Sequence, residues 1–272
     1  MTSSSYRTIL RSSSIIGGAQ VANIAIGLVK MKVVAVLLGP AGVGLVGLYT
    51  SLLQTASTIS ALGMNNSGTR QIAAAQAAGG EQEVGRVRRA LFWAMLALAI
   101  TGATLFWLAR HWIARVILAD PALAQEVGWL AVALALSVGA GSQGALLTGM
   151  RRVGDLARIG IVSGFAGAVL GVLAVWLWGR DGLVALVLVA PLSTFLLGHI
   201  YVARLGPPAG PRATFSEMAR DWRDMAHLGF AFMLSALITT LGHLAVRTLV
   251  QRELGADALG QFQAAWAIGM TY

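Results

Sequence analysis

Seven stretches of this chain are each about twenty residues long, apolar and almost free of charge. They run Ser14–Leu38, Ala41–Leu62, Ala90–Ala109, Val127–Leu147, Ile159–Trp178, Gly182–Val202 and Ala226–Val250. An eighth begins near Leu259 and is still running at Tyr272. A bilayer core of about 30 Å takes about 20 helical residues. In hydrocarbon a lone segment can satisfy its own backbone only as a helix. The segments therefore predict an all-α polytopic membrane protein. Composition agrees, with 57% hydrophobic and 11% charged residues and a mean hydropathy of +0.73. One soluble core of 272 residues could not hide so much apolar surface. A water-soluble enzyme and a disordered chain are both poor fits to these values. Cysteine is absent, which excludes a disulfide framework, thiolate catalysis and Cys-ligated metal centres.

Tight breaks separate the segments at Gly39-Pro40, at Gly179-Arg180-Asp181-Gly182 and at the Pro-rich run Leu205–Pro211. The first segment is too long for a cleaved signal peptide and ends in Gly-Pro. The net charge is +9, and its distribution sets orientation. With the N-terminus cytoplasmic, inside segments hold thirteen arginines and outside segments four, Arg110, Arg115, Arg180 and Arg252. Lysine and arginine collect on the cytoplasmic side, so the N-terminus is expected inside, with anionic lipids as contacts of the basic loops. No basic soluble face exists for nucleic acid. Three positives remain inside apolar segments: Lys30, Lys32 and Arg247.

The stretch Leu38-Gly39-Pro40-Ala41-Gly42-Val43-Gly44 has a counterpart in Leu254-Gly255-Ala256-Asp257-Ala258-Leu259-Gly260, 216 residues later. Each follows an odd-numbered span, the first and the seventh. Parallel six-helix repeats are one transporter architecture. The expected organisation is a first lobe over 1–203, a cytoplasmic linker over 204–225 and the start of a second lobe over 226–272. Only about a dozen residues follow Leu259, four or five spans short of a second lobe. The chain is thus expected to be about two-thirds of a two-lobed transporter.

At Lys30–Leu45, Ile59–Ala73 and Leu254–Trp266 the chain resembles the Wzx-type polysaccharide flippases (O-antigen or enterobacterial-common-antigen translocases). These belong to a superfamily with the MATE multidrug antiporters. The resemblance implies a MATE-like fold: the first six-helix lobe of two around a central cavity, plus helix 7 and the start of helix 8. It implies an undecaprenyl-diphosphate-linked oligosaccharide as substrate, moved between leaflets of a bacterial inner membrane. Glycan polymerase machinery is an optional further partner, and no cofactor is expected.

Moving a diphosphate and a glycan through hydrocarbon requires a hydrated path with cations for phosphate and hydrogen-bonding groups for sugars. Charges within spans are costly and usually face a cavity or a partner. Gln20, Asn23, Gly27 and Lys30 share one helix face, which reads as a cavity wall with Lys30 at its outer end. Lys32 lies two residues nearer the interface and competes with snorkelling. Arg247, opposite Met31 in the repeat, suits a diphosphate through its planar fork. Span two carries Ser51, Gln54, Thr55 and Thr58 on one face, suited to sugar hydroxyls or to interhelical hydrogen bonds. Substrate-binding candidates are therefore Lys30, Arg247, Lys32, Gln20, Asn23, Gln54 and Thr58. His243, with His199, is the candidate proton carrier. Arg86, Arg88 and Arg89 could attract phosphates at the inner mouth.

Gly139–Gly144 matches GxGxxG but lies inside span four, so a dinucleotide loop is rejected. Gly160-x-x-x-Gly164 and Gly167-x-x-x-Gly171 read as close helix contacts. No acid–base pair, nucleophile constellation or metal-ligand spacing stands out, and no Asp or Glu falls clearly inside a span. This disfavours two alternatives, a cation-coupled small-molecule exporter and a membrane-embedded glycan-processing enzyme. The orientation has a direct check, since the chain has no cysteine of its own. A cysteine placed at Arg180 is expected to react with a membrane-impermeant maleimide in intact cells, and one at Arg151 only after lysis. The opposite pattern reverses the topology.

Overall fold

The computed structural model describes residues 3–78, 80–210 and 214–269, with side chains from residue 17 onward apart from 215, 267 and 268. Arg212 and residues 270–272 of the eighth segment lie outside the described residues. All regular structure among the described residues is helical. The helices are α1 (Ser3–Ser60), α2 (Met64–Ala77), α3 (Glu81–Leu108), α4 (Arg110–Val116), α5 (Ala124–Gly149), α6 (Val153–Trp178), α7 (Gly182–Ala203) and α8 (Phe215–Gly269). Short 3-10 turns at Pro121–Leu123 and Gly179–Asp181 join α4 to α5 and α6 to α7.

A straight 58-residue helix would be about 87 Å long, nearly three bilayer thicknesses. The chain avoids this by bending once. In α1 the break is Gly39 (φ 69°, ψ −172°), and in α8 it is Gly255 (φ 85°, ψ 179°). Both fall in a region open essentially to glycine alone. The two breaks are the two matched glycines of the 216-residue repeat, and they share one backbone conformation. Pro40 opens the second limb of α1, where its missing N–H removes no helical bond. Five stretches are long and apolar enough to cross a membrane: Gly17–Ser60, Glu81–Leu108, Pro121–Gly149, Val153–Ala203 and Ser216–Trp266. The first, fourth and fifth are 44, 51 and 51 residues long, and each contains one break. They supply two passes each, so the seven expected segments and the start of the eighth are all present as helix.

The connections between spans two and three and between spans six and seven are largely helical. The stretch Gln71–Arg89 is two helices, α2 and the first turns of α3. The expected linker over 204–225 ends inside a helix, because α8 starts at Phe215 and runs unbroken into span seven. Glu217 reaches back to the start of α8: the Thr214 N–H and hydroxyl donate to the Glu217 carboxylate at 2.8 and 2.9 Å, the Glu half of a capping box.

Lipid tails are as apolar as leucine, so helices here are held by close fit and not by expulsion of water. Glycines supply the fit. Gly167 packs on Ala190 and Gly171 on Leu186, joining α6 to α7. Gly68 sits under Leu91, and Gly149 meets Ile72, tying α2 to α3 and α5. The main core gathers Tyr49, Leu91, Met95, Leu130 and Leu134 between the second limb of α1, α3 and α5. Large side chains such as Ile100, Phe165 and Trp176 stay outside, where a lipid solvent suits them. Five of the eight tryptophans, Trp107, Trp112, Trp129, Trp176 and Trp178, are exposed near the end of the bundle that carries the breaks. Tryptophan favours the membrane–water interface.

The pairing of α1 with α8 is the most extensive in the fold. At its centre a Cβ on Gly44 would stand 3.0 Å from the Ala256 carbonyl, and one on Gly260 would overlap the Pro40 carbonyl. The contact is reciprocal, since Ala256 and Gly260 are the repeat counterparts of Pro40 and Gly44. A Cβ at Gly144 meets nothing within 4 Å. Gly260→Val is therefore expected to lower the melting temperature of the purified protein by several degrees, while Gly144→Ala leaves it level or raises it. Equal effects would refute the reciprocal contact.

Candidate functional site

A cavity of about 680 Å³ opens between the two limbs of α1 and the last limb of α8. Its polar lining is Lys30, Lys32, Thr50, Gln261 and Gln263, set among apolar residues that include Ile24, Met31 and Val46. The fold creates it simply. Gly39 turns the first limb of α1 away from the second, and Gly255 carries the last limb of α8 into the space between. Gly47 permits the approach, for a Cβ there would press on the Gln263 side chain at 2.6 Å. Lys30 is half-buried and Lys32 exposed. The two ammonium groups share one wall, with two carboxamides and a hydroxyl on the same cavity. That set offers positive charge, donors and acceptors, and no carboxylate.

The expected polar stripe divides. Gly27 and Lys30 line the cavity. Asn23 turns to α6, where its side-chain amide lies against the positions a Cβ would take on Gly160 and Gly164, at 3.4 and 2.5 Å. The first of the two GxxxG motifs thus receives α1, and the second receives α7. Gln20 is exposed and is not part of the cavity lining.

Arg247 is also placed differently from the expectation. It is only 8% exposed and stands behind the wall. Its Nε donates to Gln263 Oε1 at 2.8 Å and its Nη1 to Ser51 Oγ at 2.5 Å. The guanidinium also lies 5.7 Å from the centre of the Trp266 ring. His243 meets the same ring edge-on at 5.1 Å, and it does not line the cavity. His199 is exposed on α7. On the second limb of α1, Ser51 and Thr55 are buried and bond across to α8, Thr55 donating to the Thr240 carbonyl at 3.4 Å. Gln54 is exposed, and Thr58 donates back to the Gln54 carbonyl at 2.9 Å. Half of that polar face is a helix seam, as the hydrogen-bonding reading of the sequence allowed.

Two residues went unmarked by sequence reasoning, Gln261 and Gln263. Their signal was available, as two amides just after the second copy of the repeat. Glu126 is a third. It lies in the first turn of α5, just before span four, and accepts a hydrogen bond from the fully buried Tyr49 hydroxyl. At the opposite end of the bundle the three α3 arginines are engaged. Arg88 donates to the Gly206 carbonyl at 2.8 Å, Arg89 to those of Pro208 and Ala209 at 3.1 Å, and Arg86 pairs with Glu83 at 2.6 Å. Their donors serve the linker and α3 itself, which weakens the idea of a phosphate lure.

A family described as "Polysaccharide biosynthesis protein" matches residues 9–272. The chain belongs to that family. No curated protein matches the chain significantly. Among solved structures, this polysaccharide biosynthesis protein is similar to one titled "Inward-facing conformation of a multidrug resistance MATE family transporter of the MOP superfamily". The TM-score is 0.67 at 17% identity, covering 92% of this chain and 58% of that one. The likeness shows the fold. The chain spans 58% of that transporter's length.

Hydrogen bonds to a charged group contribute about 1.5–3 kcal/mol each. Arg247→Ala in this family member is expected to destabilise the fold by about that much, through loss of the Ser51 and Gln263 contacts. Arg247→Lys should recover only part, because an ammonium lacks the fork that reaches both. Denaturant or thermal unfolding in detergent checks this, and a neutral Arg247→Ala would show that the bridge holds nothing.

Proposed function

We propose that this polysaccharide biosynthesis protein is a flippase that moves an undecaprenyl-diphosphate-linked oligosaccharide from the cytoplasmic to the periplasmic leaflet. The observation that carries the proposal is the cavity bearing Lys30 and Lys32 with Gln261 and Gln263 and no acidic residue. A diphosphate needs cations, and a glycan needs amides and hydroxyls. A carboxylate in the same cavity would repel the phosphates. The MATE-like fold supports an alternating-access cycle, in which two lobes expose one central path to each side in turn. In this reading residues 1–203 form the first lobe, 204–225 the link, and 226 onward the beginning of the second. The N-terminus is cytoplasmic in a bacterial inner membrane, as the arginine distribution favours.

The roles follow from position. Lys30, the deeper cation, meets the diphosphate first within the membrane, and Lys32 shares the charge nearer the break. Gln263 and Gln261 hold sugar or phosphate oxygens. Arg247 acts through Gln263, which it orients from behind, and is a positioning residue. Gln20, Gln54 and Thr58 remain candidates for contacts with the glycan along the exposed faces of α1. His243, stacked beside Arg247 on Trp266, remains the candidate for proton coupling.

A second reading is a cation-coupled exporter of small molecules, and the similarity to a multidrug transporter favours it. The cavity charge separates the two. Expression in a bacterium lacking its own lipid-linked-glycan flippase is expected to restore surface glycan. Lys30→Ala and Lys32→Ala should each lower that export by about tenfold, as loss of one charge-assisted contact implies. Protein abundance in the membrane is measured alongside. Failure of the parent to restore surface glycan, with efflux of cationic dyes, would overturn the flippase reading in favour of the exporter, and undiminished export in both variants would overturn the roles given to Lys30 and Lys32.

A further inference from the structure

The linker between α7 and α8 contains three prolines and two glycines in Gly206–Pro211, a composition that reads as a loose connection. The structure ties it down. Arg88 reaches the Gly206 carbonyl at 2.8 Å and the Val202 carbonyl at 3.4 Å. Arg89 reaches the carbonyls of Pro208 and Ala209, each at 3.1 Å. Carbonyls in a Pro-rich turn have few backbone donors to meet, because proline has no N–H. Two guanidinium forks from one α3 turn supply the donors instead. Gly85, on the same turn, lets the linker lie against the helix, since a Cβ there would overlap the Ala209 carbonyl. At Gly210 a Cβ would stand 3.2 Å from the Gln82 Cβ. The attachment continues into α8. Arg86 stands 3.5 Å from the buried Asp221, the Trp222 indole donates to the Ala90 carbonyl at 2.7 Å, and Met225 is fully buried in the first-lobe core. Residues 206–210 therefore lie along α3, and residues 221–225 lie against the first lobe. The first glycine of α8 beyond them is Gly229, which packs on the backbone at Leu62 and Gly63.

We propose that Arg88, Arg89 and Trp222 are positioning residues that make the linker and the first turns of α8 a fixed part of the first lobe. Movement between the lobes then takes place in α8 beyond Gly229, and not in the Pro-rich connection. The inference rests on the alternating-access reading only in assuming that the lobes move against one another.

The parent chain has no cysteine, so paired cysteines test it cleanly. Gln82→Cys with Gly210→Cys places two Cβ atoms near disulfide distance. Oxidation of this pair, followed by gel shift, should leave glycan export at the reduced level. Arrest by the Gln82–Gly210 disulfide, with export normal when reduced, would overturn the proposal. Absence of export in the parent chain itself would instead sink the transport reading, and leaves the proteolysis below as the test of the linker. A second measurement is independent of transport. Limited thermolysin digestion of the linker should be about tenfold faster in Arg88→Gln/Arg89→Gln than in the parent at equal melting temperature, since opening becomes easier when charged hydrogen bonds are lost. Unchanged cleavage would show that the arginines do not hold the linker.

Discussion

The structure turns on two backbones that touch because two side chains are missing. Gly44 and Gly260 let α1 and α8 meet carbonyl to Cα, each glycine facing the residue four places before the other. In lipid no expulsion of water drives helices together, so the closeness of such an approach is itself the source of attraction. The glycine breaks at Gly39 and Gly255 set the angle at which the limbs diverge from this point. Any residue with a Cβ would resist both the close contact and the positive φ.

The cavity is a consequence of that geometry. The limbs that converge at Gly44 and Gly260 separate again toward Lys30, and the space between is lined by what each limb presents. Arg247 shows how the same junction is held from behind. Its guanidinium links Ser51 of α1 to Gln263 of α8 and so sets the rotamer of an amide on the cavity side. A charge that an isolated span could hardly bear is tolerated because both bonds and the Trp266 face meet it. At the far end, arginines do a similar service for carbonyls that a Pro-rich turn leaves without partners.

Much of this was legible in the residues. The spans, the break at Gly39-Pro40 and the repeat at Gly255 are written in local terms: apolar length, a helix-stopping pair and a glycine pattern. Lys30 and Lys32 stood out because charge in an apolar run needs a reason. The polar stripe was read less well. Helical spacing puts Asn23 and Lys30 on one broad face, yet Asn23 meets the glycines of α6 while Lys30 meets the cavity. A face about 100° wide can serve two neighbours, and spacing alone does not say which. Arg247 was ambiguous for a related reason. Its chemistry fits a diphosphate equally well whether the fork points at a ligand or at Ser51 and Gln263.

By itself, the sequence determined that the chain crosses a membrane as helices, where it bends and which charges sit in apolar segments, because each of these is a property of a short segment and its solvent. Which charges face open space was decided only by tertiary structure. So was the role of the linker, whose loose composition is overruled by Arg88 and Arg89, 118 and 119 residues away from the carbonyls they hold. Such pairings join residues distant along the chain, and only the packing of whole helices brings them within hydrogen-bond reach.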